Sequence, residues 1–235
     1  KVVGSLSLPS ALKGATYRLR LKEPQGWKLE PVAGTAQLNL IITPPSQLPV
    51  AEVPVVLEAE ITFRKAVATL TESASIDFSW LQPVKALGVF KSGGFGDAAD
   101  PLPPDTDFEL GKNYVNETGE ALWVEAPWIL PAGENAPRFN FNDYFGQYEQ
   151  GIAYAAAQVV SDREQEALLL LGTDDGCQIY LNGELLHQSL PPREAKTDED
   201  RVQVHLKQGS NLFVAKVANN YHQWLLVWRL RAPEG

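Results

Sequence analysis

The sequence predicts an all-β protein built as two β-sandwiches, residues 1–82 and 83–235. Three observations carry that expectation. Polarity repeats every second residue through most of the chain, which is the period of a strand with one buried face, while a 3.6-residue period is scarcely visible. The 17 prolines and 18 glycines fall mainly between these runs, as turn chemistry requires. Charge also shifts along the chain: residues 1–82 carry 8 basic and 7 acidic side chains, whereas residues 83–235 carry 12 and 22.

The elements follow in order. In residues 16–22, Tyr17, Leu19 and Leu21 oppose Arg18, Arg20 and Lys22, a half-buried strand. Leu57, Ala59, Ile61 and Phe63 oppose Glu58, Glu60, Thr62 and Arg64 in the same way. Leu38, Leu40 and Ile42, then Ile76, Phe78 and Trp80, supply further inward faces. Several short strands with turn signals between them suggest an immunoglobulin-like sandwich. Residues 82–107, with Pro83, Gly88, Gly93, Gly94, Gly96, Pro101, Pro103 and Pro104, read as a junction loop. Strands are expected again at 122–128, 152–160, 167–172, 178–186, 201–207, 212–217 and 224–231, with a turn of helix near 142–150 or 161–165.

Within the second half, the run 168–185 reads as two apolar strands joined by Asp174-Asp175-Gly176, the second ending in Asn182-Gly183. This is hairpin grammar, since Gly and Asn tolerate the positive φ of tight turns. Gly172, Thr173, Asp174, Asp175 and Gly176, followed by Ile179, Tyr180, Leu181, Asn182 and Gly183, resemble the G-S-D-D-G-x-x-V-W-L-N-G pattern of galactose-binding-like and PA14-like β-sandwich modules in secreted bacterial carbohydrate-active enzymes. Residues 151–157 are similar to the A-Y-A-A strand that precedes that turn in the family, and 198–211 to its D-x-D-R-V-x-V-x-L-K-x-G-x-N run. Residues 213–217 and Trp224 fit the same order. Cys177 and the 219–222 segment depart from the pattern. Residues 23–31, containing Gly26-Trp27, are similar to the P-x-G-W-x-V-x-P turn of Ig-like accessory domains.

The resemblance implies an Ig-like domain followed by a jelly-roll galactose-binding-like domain. It also implies a non-catalytic accessory module of a larger secreted bacterial protein, extracellular or periplasmic, that binds polysaccharide or oligosaccharide beside other domains of its parent chain. A chain that begins at Lys1 and holds no Met reads as a mature or excised fragment. Two other readings stand beside this one: a structural spacer or protein-interaction module without glycan affinity, and a glycoside-acting enzyme using loop carboxylates.

Composition narrows the classes. With 44% hydrophobic and 21% charged residues the chain is globular, and no apolar run approaches a bilayer span. A net charge of −9 argues against nucleic-acid and anionic-membrane partners. The single cysteine, Cys177, cannot form an internal disulfide and reads as a buried inert thiol rather than a nucleophile. His187, His205 and His222 are too scattered for a zinc motif, and no nucleophile elbow or phosphate-binding loop is present. Gly93-Gly94-Phe95-Gly96 reads as a tight loop. Asp174 and Asp175, adjacent in a turn, read as turn formers whose side chains diverge. Asn116-Glu117-Thr118 matches a glycosylation sequon.

No cofactor is called for, with structural calcium as the open exception. Asp97, Asp100, Asp105 and Asp107 in one loop are its candidate ligands, against a plain solvated loop, and Asp198, Glu199 and Asp200 form a second acidic group. A sugar site needs aromatic faces beside fixed polar groups. Residues 139–148 and 219–224 offer that mixture, with Asn142, Asp143, Tyr144, Tyr148, Tyr221 and His222 as candidate ligand contacts. The alternative places Phe139, Phe141 and Phe145 in the core and Trp224 as an end plug, with Trp123 and Trp128 packed.

Overall fold

The computed structural model describes residues 2–7, 15–23, 26–30, 33–35, 37–43, 52–77, 79–81, 83, 85–92, 97–126 and 138–233. The 93–96 glycine loop, Phe78, Trp128, Pro24, Gln25 and Pro31 lie outside these, as do the side chains of Leu38, Leu40, Ile42 and Ile76. The protein is all-β, with antiparallel sheets and two four-residue helices among the described residues. It divides into two compact units, Lys1–Ser79 and Trp80–Gly235. The division falls slightly upstream of residue 82 because Trp80 bridges Arg229 and the Leu81 N–H donates to the Trp228 carbonyl at 3.0 Å.

The first unit contains β1 (Val2–Ser7), β2 (Thr16–Glu23), β3 (Lys28–Glu30), β4 (Ala33–Thr35), β5 (Gln37–Thr43), β6 (Glu52–Phe63) and β7 (Ala66–Asp77). They form a three-stranded sheet, β1-β5-β3, and a four-stranded sheet, β4-β2-β6-β7. Tyr17, Leu19, Val55, Ala59 and Ile61 on β2 and β6 pack with Leu29 of β3, while Leu21, Leu57 and Phe63 are half-buried against them. Period-two alternation thus places one face of β2 and one face of β6 inward. Arg64 and Lys65, both at positive φ (48° and 72°), close the β6/β7 hairpin with the twist such hairpins favour.

The second unit begins with β8 (Lys85–Lys91), followed by α1 (Pro104–Asp107), β9 (Val115–Asn116), β10 (Gly119–Glu120), β11 (Leu122–Glu125), β12 (Phe139–Asn140) and α2 (Asn142–Phe145). It continues with β13 (Gly151–Ser161), β14 (Gln165–Asp174), β15 (Cys177–Leu181), β16 (Glu184–Ser189), β17 (Asp200–Leu206), β18 (Gly209–Asn219) and β19 (Leu225–Arg231). A six-stranded sheet, β11-β8-β13-β18-β15-β16, faces a four-stranded sheet, β12-β19-β14-β17. Between them lie Ala153, Ala155 and Ala157 of β13, Ile179 of β15, Phe213, Ala215 and Val217 of β18, and Leu169, Leu171, Leu226 and Trp228 from the other sheet. The alternate residues Ile152, Tyr154, Ala156, Val214 and Ala218 point to the outer face of the six-stranded sheet, where residues 97–126 cover them.

Three sequence expectations need correction. The supposed junction at 82–107 contains β8, an interior strand flanked by β11 and β13. Alternation is absent there because Ala86, Leu87, Gly88 and Phe90 are buried on both faces. Gly88 is not a strand breaker: a Cβ there would sit 3.0 Å from Ala153 Cβ and 3.3 Å from the Phe145 ring, so glycine permits close approach.

The Asp174-Asp175-Gly176 segment is also not a hairpin. It carries the chain from β14 in the four-stranded sheet to β15 in the six-stranded sheet. Gly172 and Gly176 serve contact rather than positive φ, since a Cβ would meet the Lys196 carbonyl oxygen at 1.8 Å and the Leu190 carbonyl oxygen at 2.6 Å respectively. The third correction is the expected strand 178–186, which breaks at Asn182 (φ 53°) and Gly183 (φ 87°), the turn of the β15/β16 hairpin. Of the two helical expectations, α2 falls within 142–150, whereas 161–165 is non-helical.

Candidate functional site

A cavity of about 310 Å³ opens on the outer face of the six-stranded sheet. Its lining includes α1 with Phe108 on one side, Asn182, Gly183 and Lys207 on another, and Tyr154, Tyr180, Leu212 and Val214 from the sheet. The volume lies at the lower end of the range for small-ligand sites. Both of its walls are braced from below.

The α1 wall is pinned by a buried cation. Lys216 alternates outward on β18, and its side chain has no solvent exposure. Its Nζ donates to the Asp100 carbonyl at 2.5 Å and to Asp105 Oδ2 at 2.7 Å. The Tyr154 hydroxyl donates to Asp105 Oδ1 at 2.7 Å, and the Leu102 N–H donates to Asp105 Oδ2 at 2.9 Å. Burial drives the Lys216 ammonium below its ordinary value although Asp105 pulls it up. Burial first, then the Asp105 charge, raises the Tyr154 phenol. Asp105 is therefore the node joining the loop to the sheet.

The opposite wall is two turns locked together. Asn211, fully buried, accepts from the Lys207 N–H at 3.1 Å and donates to the Lys207 carbonyl at 2.8 Å. Gly209 at φ 91° completes that turn. Asn182 Nδ2 donates to Asn211 Oδ1 at 3.2 Å, and Asn182 Oδ1 accepts from the Leu212 N–H at 3.0 Å. The K-x-G-x-N spacing of residues 207–211 thus bonds one turn and, through Asn182, braces the next.

Tyr180 stands between the walls. Its inward neighbours Ile179 and Leu181 belong to the core, so strand alternation turns Tyr180 outward. Its hydroxyl donates to Gln178 Oε1 at 2.9 Å. Burial, followed by the Asp105 charge, pushes its phenol up to about 12, so it remains neutral at physiological pH. Tyr180 and Lys207 both stand inside the motifs recognised in the sequence. Alternation around Ile179 and Leu181 was the available signal for Tyr180, but nothing local showed that these strands and α1 enclose a cavity.

The four candidate calcium ligands do not converge. Asp97 Oδ1 accepts from the Ala99 N–H, Asp100 Oδ2 from the Ser92 hydroxyl, Asp105 from Lys216 and Tyr154, and Asp107 pairs with Lys112. Among the described residues, no three His, Cys, Asp or Glu side chains are grouped to hold a metal ion. Asp198 and Asp200 pair with Arg229 and Arg193 respectively, and Glu199 Oε2 lies 3.8 Å from the Arg193 guanidinium. The histidines are likewise apart: His187 lies 3.2 Å from Asp200, His205 bridges Glu164 and Glu166, and His222 occupies the 219–224 loop. Asn116 Nδ2, within the sequon, donates to the Val89 carbonyl at 2.7 Å.

The two aromatic segments expected to bind ligand do meet, because Asn142 Nδ2 donates to the His222 carbonyl at 2.7 Å. Asn219 Nδ2 similarly donates to the Tyr148 carbonyl at 2.6 Å. Phe141 and Trp224 are buried and stacked, with centroids 5.1 Å apart, and belong to the core. Tyr144 stacks at 4.9 Å on Phe139 and is half-buried, as is Tyr148 against the core. Burial, then Asp143, raises the Tyr144 phenol. Tyr221, His222 and Asp143 are exposed. Asn140 Nδ2 donates to Asp143 Oδ1 at 3.0 Å. The side-chain oxygens of Asn142 and Asn219 are enclosed without a partner among the described residues, so these amides lock the loops together more than they face outward.

Asp174 and Asp175 are both buried. Asp175 Oδ2 accepts from the Asn220 N–H at 2.6 Å. Burial first, then the charges of Asp175 and Glu194, raise the Asp174 carboxyl to about 6. The folded state therefore holds a proton between about pH 4 and pH 6 that the unfolded chain releases, so this group's contribution falls as pH rises through that window. Asp174→Asn is expected to gain stability relative to the parent between pH 4 and pH 7, on the order of 1–2 kcal/mol. Urea midpoints at both pH values test this, and a pH-independent difference would disprove it. Cys177 is buried on the inner face, and its burial pushes the thiol up.

No family model and no curated protein matches this sequence. Among solved structures, the chain is similar to a GH31 alpha-xylosidase from Xanthomonas citri, at 10% identity and a TM-score of 0.31, covering 92% of this chain and 30% of that one. A secreted serine protease, VesC, from Vibrio cholerae matches at 8% identity and a TM-score of 0.26, covering 99% and 47% respectively. An exo-beta-1,3-galactanase from Phanerochaete chrysosporium matches at 11% identity and a TM-score of 0.27, covering 98% and 68%. The chain thus spans less than half the length of the first two. At these scores the likeness bears on neither fold family nor activity.

Proposed function

We propose that this chain is a non-catalytic carbohydrate-binding module of a larger secreted bacterial protein, extracellular or periplasmic, and that the saccharide enters the cavity beside Tyr180. The proposed architecture is an Ig-like sandwich followed by a jelly-roll sandwich of galactose-binding-like type. One observation carries the binding reading: an aromatic side chain stands at a small cavity with an apolar sheet-side lining, between two walls braced by buried polar contacts. Pyranose rings stack their C–H faces on aromatic rings, and preorganised walls reduce the ordering cost of binding. The non-catalytic reading draws support from the lining carboxylates, since Asp105 is held by Lys216 and Tyr154 and Asp107 by Lys112.

The test is calorimetric titration and array binding with plant, algal and bacterial poly- and oligosaccharides. Tyr180→Ala is expected to weaken binding by about 1 kcal/mol or more, roughly fivefold, while thermal unfolding confirms that the variant is folded. Tyr144→Ala and Tyr221→Ala test the end of the sandwich and are expected to leave affinity unchanged. Loss only in the latter pair would move the site there. Absence of binding to every saccharide would leave the spacer reading.

A further inference from the structure

We infer that the sugar taken by this cavity is acidic, bearing a carboxylate or sulfate that pairs with Lys207. The inference rests on the carbohydrate reading above and concerns which saccharide the cavity prefers. Its basis is the state of the polar groups along the lining. Asp105 is occupied by Lys216, Tyr154 and the Leu102 N–H. Asp107 is paired with Lys112, and Thr106 donates its hydroxyl to the Pro103 carbonyl. Asn182 spends its amide oxygen on Leu212 and an amide N–H on Asn211, while Tyr180 donates to Gln178.

Lys207 differs from all of these. It lines the cavity, is exposed, and its ammonium has no ion-pair or hydrogen-bond partner among the described residues. Its backbone is clamped at both N–H and C=O by the buried Asn211, so the side chain leaves from a fixed point. A neutral sugar would find most of the lining side-chain polar groups already engaged. An anionic substituent would instead gain a charge-assisted bond to Lys207, the one uncommitted charge on the lining among the described residues, while its ring rests on Tyr180, Leu212 and Val214. The acidic balance of the chain as a whole does not decide this contact, because at physiological salt its field is screened beyond roughly 8 Å.

The experiment is calorimetric titration of the full chain with oligogalacturonate, a sulfated galacto-oligosaccharide and a neutral galacto-oligosaccharide, for the parent, Lys207→Gln and Lys207→Arg. At least one acidic ligand is expected to bind more tightly than the neutral one, and Lys207→Gln is expected to weaken it about tenfold, a larger loss than for the neutral ligand. Lys207→Arg is expected to retain most of the acidic affinity. The relative response to oligogalacturonate and the sulfated ligand identifies the anion. Neutral binding that equals or exceeds acidic binding, or acidic binding indifferent to Lys207→Gln, overturns the inference. If neutral binding is then abolished by Tyr180→Ala, the carbohydrate reading survives; failure of all three ligands overturns the acidic-sugar inference, and the carbohydrate reading falls with it only when the saccharide array is also negative.

Discussion

Asp105→Asn is expected to destabilise the second unit by about 3–5 kcal/mol at neutral pH, the usual consequence of removing one member of a buried ion pair. The substitution removes the negative charge facing the fully enclosed Lys216 ammonium, and it replaces one of the two carboxylate oxygens that accept from Lys216 and Tyr154 with an amide donor. The penalty has a definite pH dependence. Burial already holds Lys216 below its ordinary value, and loss of the carboxylate lowers it further. In the window between the folded and unfolded values the unfolded chain binds the extra proton, so stability rises with pH and the penalty shrinks toward pH 10.

Asp105→Asn combined with Lys216→Met is expected to recover most of the loss, because an apolar side chain of similar volume avoids the desolvation cost. Chemical denaturation of the parent, both single variants and the double variant measures the coupling. Additive losses, or a single-variant cost below roughly 0.5 kcal/mol, would remove Lys216 as the brace of the α1 wall. The same variants bear on the cavity, since the segment that Lys216 holds supplies one of its sides.

Gly172→Ala is expected to be comparably damaging, at roughly 3 kcal/mol or more, or to prevent folding of the second unit. The new Cβ would lie 1.8 Å from the Lys196 carbonyl oxygen and 2.8 Å from its carbonyl carbon. Because the obstacle is backbone, Lys196→Gly should not rescue the variant. The 190–199 connection has little freedom to retreat: Arg193 is bonded to Thr173 and Asp200, and the Leu190 carbonyl sits against Gly176. Gly183→Ala is the contrasting case. It meets nothing within 4 Å but has φ 87°, so its cost is the backbone strain alone, about 1 kcal/mol. Urea denaturation ranks the two, and equal effects would exclude backbone contact as the role of Gly172.

The difference between these glycines shows where local reading stops. Asn182-Gly183 was legible as a hairpin turn because the required φ values belong to the two residues themselves. Asp174-Asp175-Gly176 carries similar turn chemistry, yet it passes the chain between sheets, since β14 pairs with β17 and β19 while β15 pairs with β16 and β18. Partner choice depends on distant strands. The loop at 82–107 misled for a related reason: β8 is covered on both faces, so the polarity rhythm that betrays a half-exposed strand is missing.

The site divides in the same manner. Alternation alone places Tyr180 on the face opposite Ile179 and Leu181, and the spacing from Lys207 to Asn211 marks a turn. Loop composition marked residues 139–148 and 219–224 as two separate aromatic segments, and only folding joins them, through the Asn142 to His222 bond. The four clustered aspartates resembled a cation site in sequence because proximity along a loop says nothing of where carboxylates point. Folding sends Asp105 to Lys216, 111 positions away, and Asp107 to Lys112.

The order of residues was therefore sufficient for much that is governed by nearest neighbours: an all-β chain, the inward faces of β2 and β6, and the turn at Asn182-Gly183. The three-dimensional arrangement alone decided which sheet each strand enters, why Gly88, Gly172 and Gly176 carry no side chain, and how Asp105, Tyr180 and Lys207 come to border one cavity. Strand polarity is a property of adjacent residues facing water or core, whereas a cavity exists only where segments far apart in the chain are held at a distance by contacts no short window contains.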